Sequence, residues 1–365
     1  MARVVVIGAG IAGLTAAVHA HQRGHQVVIL DRSSKIGGRG TSEISKSTPL
    51  DLGPHLLEKG GPTWKIAKTL SRMRPKTRPL TPESCAIVID GERNPLKPSL
   101  RERAGYGLTV QDIASLRKGV HTNNPLQAKR IDAIRWLTSW SEEDAEIFKR
   151  RVSAFLKGKL HTVQEGWGGI VGRMSVALEE VGVPIEGSAR VESIDLENKG
   201  IRIKNGPLIP YDYIILAADA KSAEQILLAS DIESGFKARR KQAEVLDLVM
   251  ESDSMRPFRC VIESPNNAMV GITRGGKKVI QAVSFNSGLT EFLDRYAPGW
   301  KKHVTSRRFS EKVTVFDIPQ SERPSFDLHY SRGILLAGSW VDSEYWLADA
   351  ATDSGIRAGL HLPKS

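Results

Sequence analysis

The sequence pattern predicts an α/β protein that opens on a nucleotide-binding unit and carries insertions. Three observations carry this reading. A β-rich run, a glycine-rich turn, a helical pattern and a second strand follow one another within the first 30 residues. Helix and short buried strands return from Trp167 onward. Between 244 and 286 the chain alternates as antiparallel strands do.

The first strand is Arg3-Val4-Val5-Val6-Ile7, and Gly8-Ala9-Gly10-Ile11-Ala12-Gly13 follows at once. A helical pattern runs to about Arg23, with Gly24 as its C-cap. The second strand, Gln26 to Leu30, ends at Asp31. This strand–turn–helix–strand–acid order is the one a Rossmann-like dinucleotide site demands. Gly8 permits the tight turn, Gly10 lets the backbone approach a pyrophosphate, and Gly13 lets the helix pack closely on the strand. Ile11 and Ala12 open the helix, whose free N–H groups and positive dipole end suit phosphates. Asp31, with Arg32 beside it, is placed to accept hydrogen bonds from an adenosine ribose. A glycine-rich turn that binds nothing is the bland alternative, and the spacing of strand, helix and acid weighs against it.

Lys35-Ile36-Gly37-Gly38-Arg39-Gly40 comes next. Here Gly37, Gly38 and Arg39 can wrap the same pyrophosphate from its other side. The succession GxGxxG, acid, GGR resembles the flavin-containing amine oxidase and phytoene desaturase superfamily, which includes protoporphyrinogen-oxidase-like enzymes. Later segments extend the resemblance. Leu52-Gly53-Pro54-His55 follows Asp51, Gly168-Gly169-Ile170 opens a helical pattern ending at Gly182, and Ala189-Arg190-Val191 precedes a strand from Tyr213 to Ala218. Near the end, Gly333 to Gly338 and Ala350 to Gly355 look like the family's C-terminal flavin motif.

Between these motifs, residues 61 to 160 lack the βαβ rhythm and hold several helical patterns. Ser141 with Asp144 reads as a capping box, and Ile147, Phe148, Val152 and Phe155 make an apolar stripe. Strands are expected at Arg190 to Ile194 and Gly200 to Lys204 and, within 244 to 286, at Val245 to Val249, Arg259 to Ile262 and Val279 to Val283, and a helix over 287 to 303. A last strand from Ile334 to Ala337 and a last helix from about Ala348 to Leu360 close the chain. The resemblance implies a Rossmann-like FAD-binding domain built from the discontinuous segments 1–60, 161–235 and 325–365, with 61–160 and 236–324 as an inserted α+β substrate domain.

Bulk properties narrow the function. The 365 residues and 40% hydrophobic content suit a large globular core. No uninterrupted apolar run reaches the roughly 18 residues of a membrane span, the N-terminus does not read as a signal peptide, and two cysteines do not suggest a disulfide framework. A cytoplasmic protein is expected, without metal. The net charge of +11 concentrates at Lys59 to Arg78, Arg93 to Arg103 and Lys149 to Lys159. Solvated faces, an anionic membrane surface or an anionic substrate would each account for it. No nucleic-acid module is recognisable.

The resemblance implies non-covalent FAD. It assigns the pyrophosphate to Gly8, Gly10 and Gly13 with Gly37, Gly38 and Arg39, and the adenine to the backbone of Val191. Gly53 and Ala217 join the wall, and Gly338, Ser339 and the helix turn near Ala350 would face the ribityl chain and ring. Many relatives carry Gly-Asp where this chain has Gly338-Ser339, and Asp342 is near enough in sequence to substitute. A flavin does the hydride chemistry itself, so no triad is required and no catalytic residue is assigned. The implied substrate is a small apolar molecule, a polyene, isoprenoid or porphyrinogen-like ring. The alternatives are an amine oxidase releasing hydrogen peroxide and a flavin-binding protein without turnover. Amine oxidases use an aromatic residue near the start of the last helix to cage the amine. Leu347 stands there, beside Tyr345 and Trp346.

Overall fold

The computed structural model describes residues 1–71, 73–96, 125–139, 145–320 and 322–364. Five parallel strands form the nucleotide-side sheet, in the order Ile185–Glu186, Gln26–Leu30, Arg3–Ile7, Tyr213–Leu216 and Ile334–Leu336. Every residue of the central strand beyond Arg3 is buried, as a sheet covered on both faces requires. Val4 and Val6 face one core cluster, with the helices Ile11–Gln22 and Leu347–His361, while Val5 and Ile7 face the other. The strictly alternating faces of one strand thus hold two cores together.

A seven-stranded sheet stands beside it, ordered Val304–Pro319, Ala238–Met250, Lys277–Ser284, Asn267–Arg274, Cys260–Glu263, Cys85–Ile89 and Glu92–Pro95. All neighbours are antiparallel except Cys85–Ile89 with Cys260–Glu263. The helices Pro125–Ser139 and Ala145–Leu156 bring Ile134, Trp136, Val152 and Phe155 onto one face of this sheet. The mixed α/β architecture predicted from the sequence is therefore the one observed.

Several elements depart from the expectations: the helix expected over 287–303 is two, Leu289–Tyr296 and Trp300–His303, and the strands Cys85–Ile89 and Glu92–Pro95 lie in a segment read as helical. The strand Val304–Pro319, paired along Ala238–Met250, was not anticipated. The helix Pro62–Ser71, grouped above with the substrate domain, packs Ile66 and Ala67 into the nucleotide-side core. The capping box at Ser141 and Asp144 lies outside the described residues, as do the side chains of Ile147 and Phe148; Val152 and Phe155 are buried as expected.

Candidate functional site

A cavity of about 880 Å³ opens between the two sheets. One end is built by the first glycine turn. Gly8 has φ +110°, a left-handed conformation suited to glycine, and its N–H donates to Leu30 O at 2.7 Å. A Cβ on Gly13 would overlap the Gly8 carbonyl, so the helix could not sit this close to the strand with any other residue. Gly10 is different. A Cβ there meets no protein atom within 4 Å, because Gly10 borders the cavity. Gly37, with φ +120°, bridges back to Gly10 and donates its N–H to Ala9 O at 3.0 Å.

Of the residues predicted for the site, Gly8, Gly10, Ile11, Ala12, Asp31, Arg32, Gly37, Gly38, Arg39, Val191, Ala217, Gly338 and Ser339 line this one cavity. Three do not. Gly13 packs behind the turn, Ala350 is wholly buried within the last helix, and Ala348 and Ala351 take the lining positions instead. Gly53 lies behind the wall, donating its N–H to Asp247 Oδ1 at 3.1 Å, while its neighbours Leu52, Pro54 and His55 face inward. The Asp31 carboxylate also has a second duty. It accepts from Ala9 N at 2.6 Å and Ser33 N at 2.8 Å, and so holds the turn it was expected only to accompany.

The suggested substitute for the missing family acid is corrected. Asp342 is exposed and does not line the cavity. A different carboxylate does. Asp317, on the unanticipated strand, lines the wall with Val313, Thr314 and Val315. Arg39 ties this strand to the glycine motifs, donating to Val315 O at 3.1 Å and to Ser339 Oγ at 2.9 Å. Asp317 is 1% exposed, and neither carboxylate oxygen accepts a hydrogen bond; Arg240 Nε is 3.4 Å away. Burial pushes its carboxyl above the usual range, opposed mainly by Arg39. A buried carboxylate on a cavity wall, ion-paired with Arg240 but with no well-formed hydrogen bond among the described residues, suits a hydroxyl-bearing ligand. The glycine cradle suits a diphosphate, so the residues fit a dinucleotide.

The other end of the cavity is apolar. Leu52, Pro54, Leu56, Val245, Val283 and Leu347 line it. Leu347 opens the last helix with φ +51°, a conformation that costs an L side chain of this kind about 1–2 kcal/mol. Tyr345 and Trp346 turn away: the Tyr345 ring lies under Arg150 at 3.7 Å, and Trp346 packs against Phe316 at 6.1 Å. His55 lines the cavity, held by Gly53 O at 2.9 Å and tilted 5.8 Å from the Trp167 ring. Burial lowers its pKa below the ordinary histidine value, so the ring is neutral near pH 7.

One cation breaks the apolar wall. Arg151 belongs to one of the basic runs for which solvated faces, a membrane surface or an anionic substrate stood open, yet it is 4% exposed, pairs with Glu58 at 3.5 Å and donates to Thr138 O at 3.0 Å. Near it Asp349, in the first turn of the last helix, accepts from Thr63 N at 2.9 Å. Burial raises Asp349 to about 6 even though Arg151 works the other way. Arg151 and Asp317 were not foreseen: Arg151 lies beside an apolar stripe in a run read for its charge, and no element was assigned to the segment that holds Asp317. Asp219 was findable: it follows a buried strand and N-caps the next helix through Ser222 N.

The profile of the NAD(P)-binding Rossmann-like domain family matches residues 6–70. A neurosporene-forming phytoene desaturase of Rhodobacter capsulatus is 44% identical over 57 residues, 16% of this chain and 11% of that one. Lysine-specific histone demethylase 1 homolog 3 of Arabidopsis thaliana is 48% identical over 56 residues, 15% of this chain and 3% of that one. Each of these matches therefore spans a small part of the relative's length. A solved putrescine oxidase double mutant has a TM-score of 0.70 at 15% identity, covering 99% of this chain and 98% of that one. That likeness bears on the fold.

Proposed function

Taking the chain as a relative of the amine oxidase and phytoene desaturase superfamily, we propose that it is an FAD-dependent oxidoreductase acting on an apolar polyene, isoprenoid or porphyrinogen-like molecule. The division into an FAD-binding and a substrate domain, with Pro62–Ser71 moved to the former, is part of this reading. The observation that carries it is the continuity of one cavity from a glycine cradle to an apolar chamber. Bound FAD would supply hydride acceptance at ring N5.

The chain's own residues do the rest. The amides around Gly10, Ile11 and Ala12 bind the diphosphate, assisted by Arg39 from the facing loop. Asp317 and Ser339 are acceptors available to hydroxyls beside Asp31, Glu192 and Asp219, and the backbone at Val191 borders the adenosine end. Leu52, Leu56, Val245, Val283 and Leu347 exclude water and favour an apolar substrate by burial. Leu347 stands where amine oxidases carry a caging aromatic residue, and among the described residues neither Tyr345 nor Trp346 lines the cavity, which favours this reading over amine oxidation. An apolar substrate would be met at a membrane surface, and the +11 charge suits an anionic one.

Anaerobic titration of the FAD-loaded protein tests the reading. Polyenes or porphyrinogens should bleach the flavin bands while simple amines do not. Bleaching by amines, with hydrogen peroxide released in air, would favour the amine oxidase. Failure of every class would favour a flavin-binding protein without turnover.

A further inference from the structure

A second pocket, of about 300 Å³, shares no residue with the main cavity. Its floor is strand surface around Gly271, Thr273 and Ile280, and its rim is strongly basic. Arg78, Arg256, Arg259 and Lys278 line it against one carboxylate, Asp253. Asp253 lies between two of these, 3.8 Å from Arg256 Nε and 3.6 Å from Lys278 Nζ. Arg259 is fixed in place, donating to Pro79 O at 2.7 Å and Thr162 Oγ1 at 3.4 Å. That fixes it beside Arg78, which makes no ion pair among the described residues. Burial, and then the Arg78 charge, lower the Arg259 pKa, so the two guanidiniums repel each other.

We propose that this pocket is a binding site for a phosphate-bearing anion, held by Arg78, Arg259 and Lys278. Two guanidiniums and an ammonium around a concavity supply the forked and point-charge donors that a tetrahedral oxyanion accepts. One carboxylate cannot neutralise four cations, and an anion in the pocket relieves the repulsion between Arg78 and Arg259. The Arg259 side chain is already ordered, so little conformational freedom is lost on binding. The chemistry is that of a phosphomonoester, whether free in solution or carried as a lipid headgroup.

Inorganic phosphate titrated into the FAD-loaded protein at constant ionic strength, with chloride as the control, tests the site. Saturable binding and a rise in Tm are expected with phosphate and not with chloride. Arg78→Gln should weaken binding by about tenfold, the loss of one charge-assisted contact. Should Arg78→Gln impair folding, Thr273→Glu offers the second test. It places a carboxylate in the pocket, and should abolish phosphate binding while raising the Tm of the phosphate-free protein. Vesicles of phosphatidylcholine with and without phosphatidic acid separate the sources. Capture only with phosphatidic acid, lost in Arg78→Gln, supports a lipid headgroup; phosphate binding without capture supports a soluble ligand. No saturable binding, or binding and capture that both variants retain, overturns the assignment.

Discussion

Gly10 and Gly13 lie three residues apart and answer to different demands. A side chain at Gly13 would run into the Gly8 carbonyl, whereas one at Gly10 would enter open cavity. Gly13→Ala should therefore destabilise the fold by about 3 kcal/mol or more, read as a lowered Tm. Gly10→Val should leave the Tm of the ligand-free protein nearly unchanged and abolish dinucleotide retention. Equal loss of stability in both variants would remove the cradle from the account. Asp317 is argued at the same scale. If its buried carboxylate accepts hydroxyls of the cofactor, Asp317→Ala should weaken FAD binding by ~1–3 kcal/mol, measured by fluorescence titration. Asp342→Ala, exposed and off the cavity, should leave FAD binding unaltered.

Between elements, a buried ionic cluster holds the cavity wall in register. Asp51 pairs with Arg274 and accepts from Trp167 N at 3.1 Å, capping the helix Trp167–Glu180. Gln281 Nε2 reaches Asp51 at 3.5 Å and Asp247 at 3.3 Å, and Asp247 in turn holds the Gly53 amide. Asp51 holds the arginine, and Asp247 joins the cluster through Gln281. Burial, followed by the Asp51 charge, raises Asp247 to about 8, so it carries a proton at neutral pH. A folded pKa above the unfolded 3.8 means that the fold holds a proton which the unfolded chain releases. Stability should then be greatest below about pH 4, from this group, and decline as pH rises to about 8. Asp247→Asn should flatten that decline in denaturant titrations. An unchanged slope would mean that Asp247 is ionised throughout. Arg274→Met leaves Asp51 charged and buried, and should cost about 3–5 kcal/mol.

Across the whole molecule, legibility followed the strength of local patterning. The glycine turn, the buried strands and the last helix were legible because fully buried parallel strands read as unbroken apolar runs and glycines mark the turns between them. The strand Val304–Pro319 was not, since its exposed polar positions and Arg307-Arg308 mask the alternation, and its pairing shifts register three times. With it went Val313, Thr314, Val315 and Asp317, nearly one side of the cavity. Arg151 was hidden by its neighbours, because a basic run gives no sign that one member turns inward. The wall contributed by distant segments is a property of tertiary packing, while the cradle is local and was visible in the first 40 residues. The central claim is that this cavity holds FAD. The visible absorption spectrum of the purified protein, with identification of whatever heating releases, tests it most directly. The account predicts flavin bands and free FAD; a colourless protein that cannot be reconstituted with FAD would contradict it.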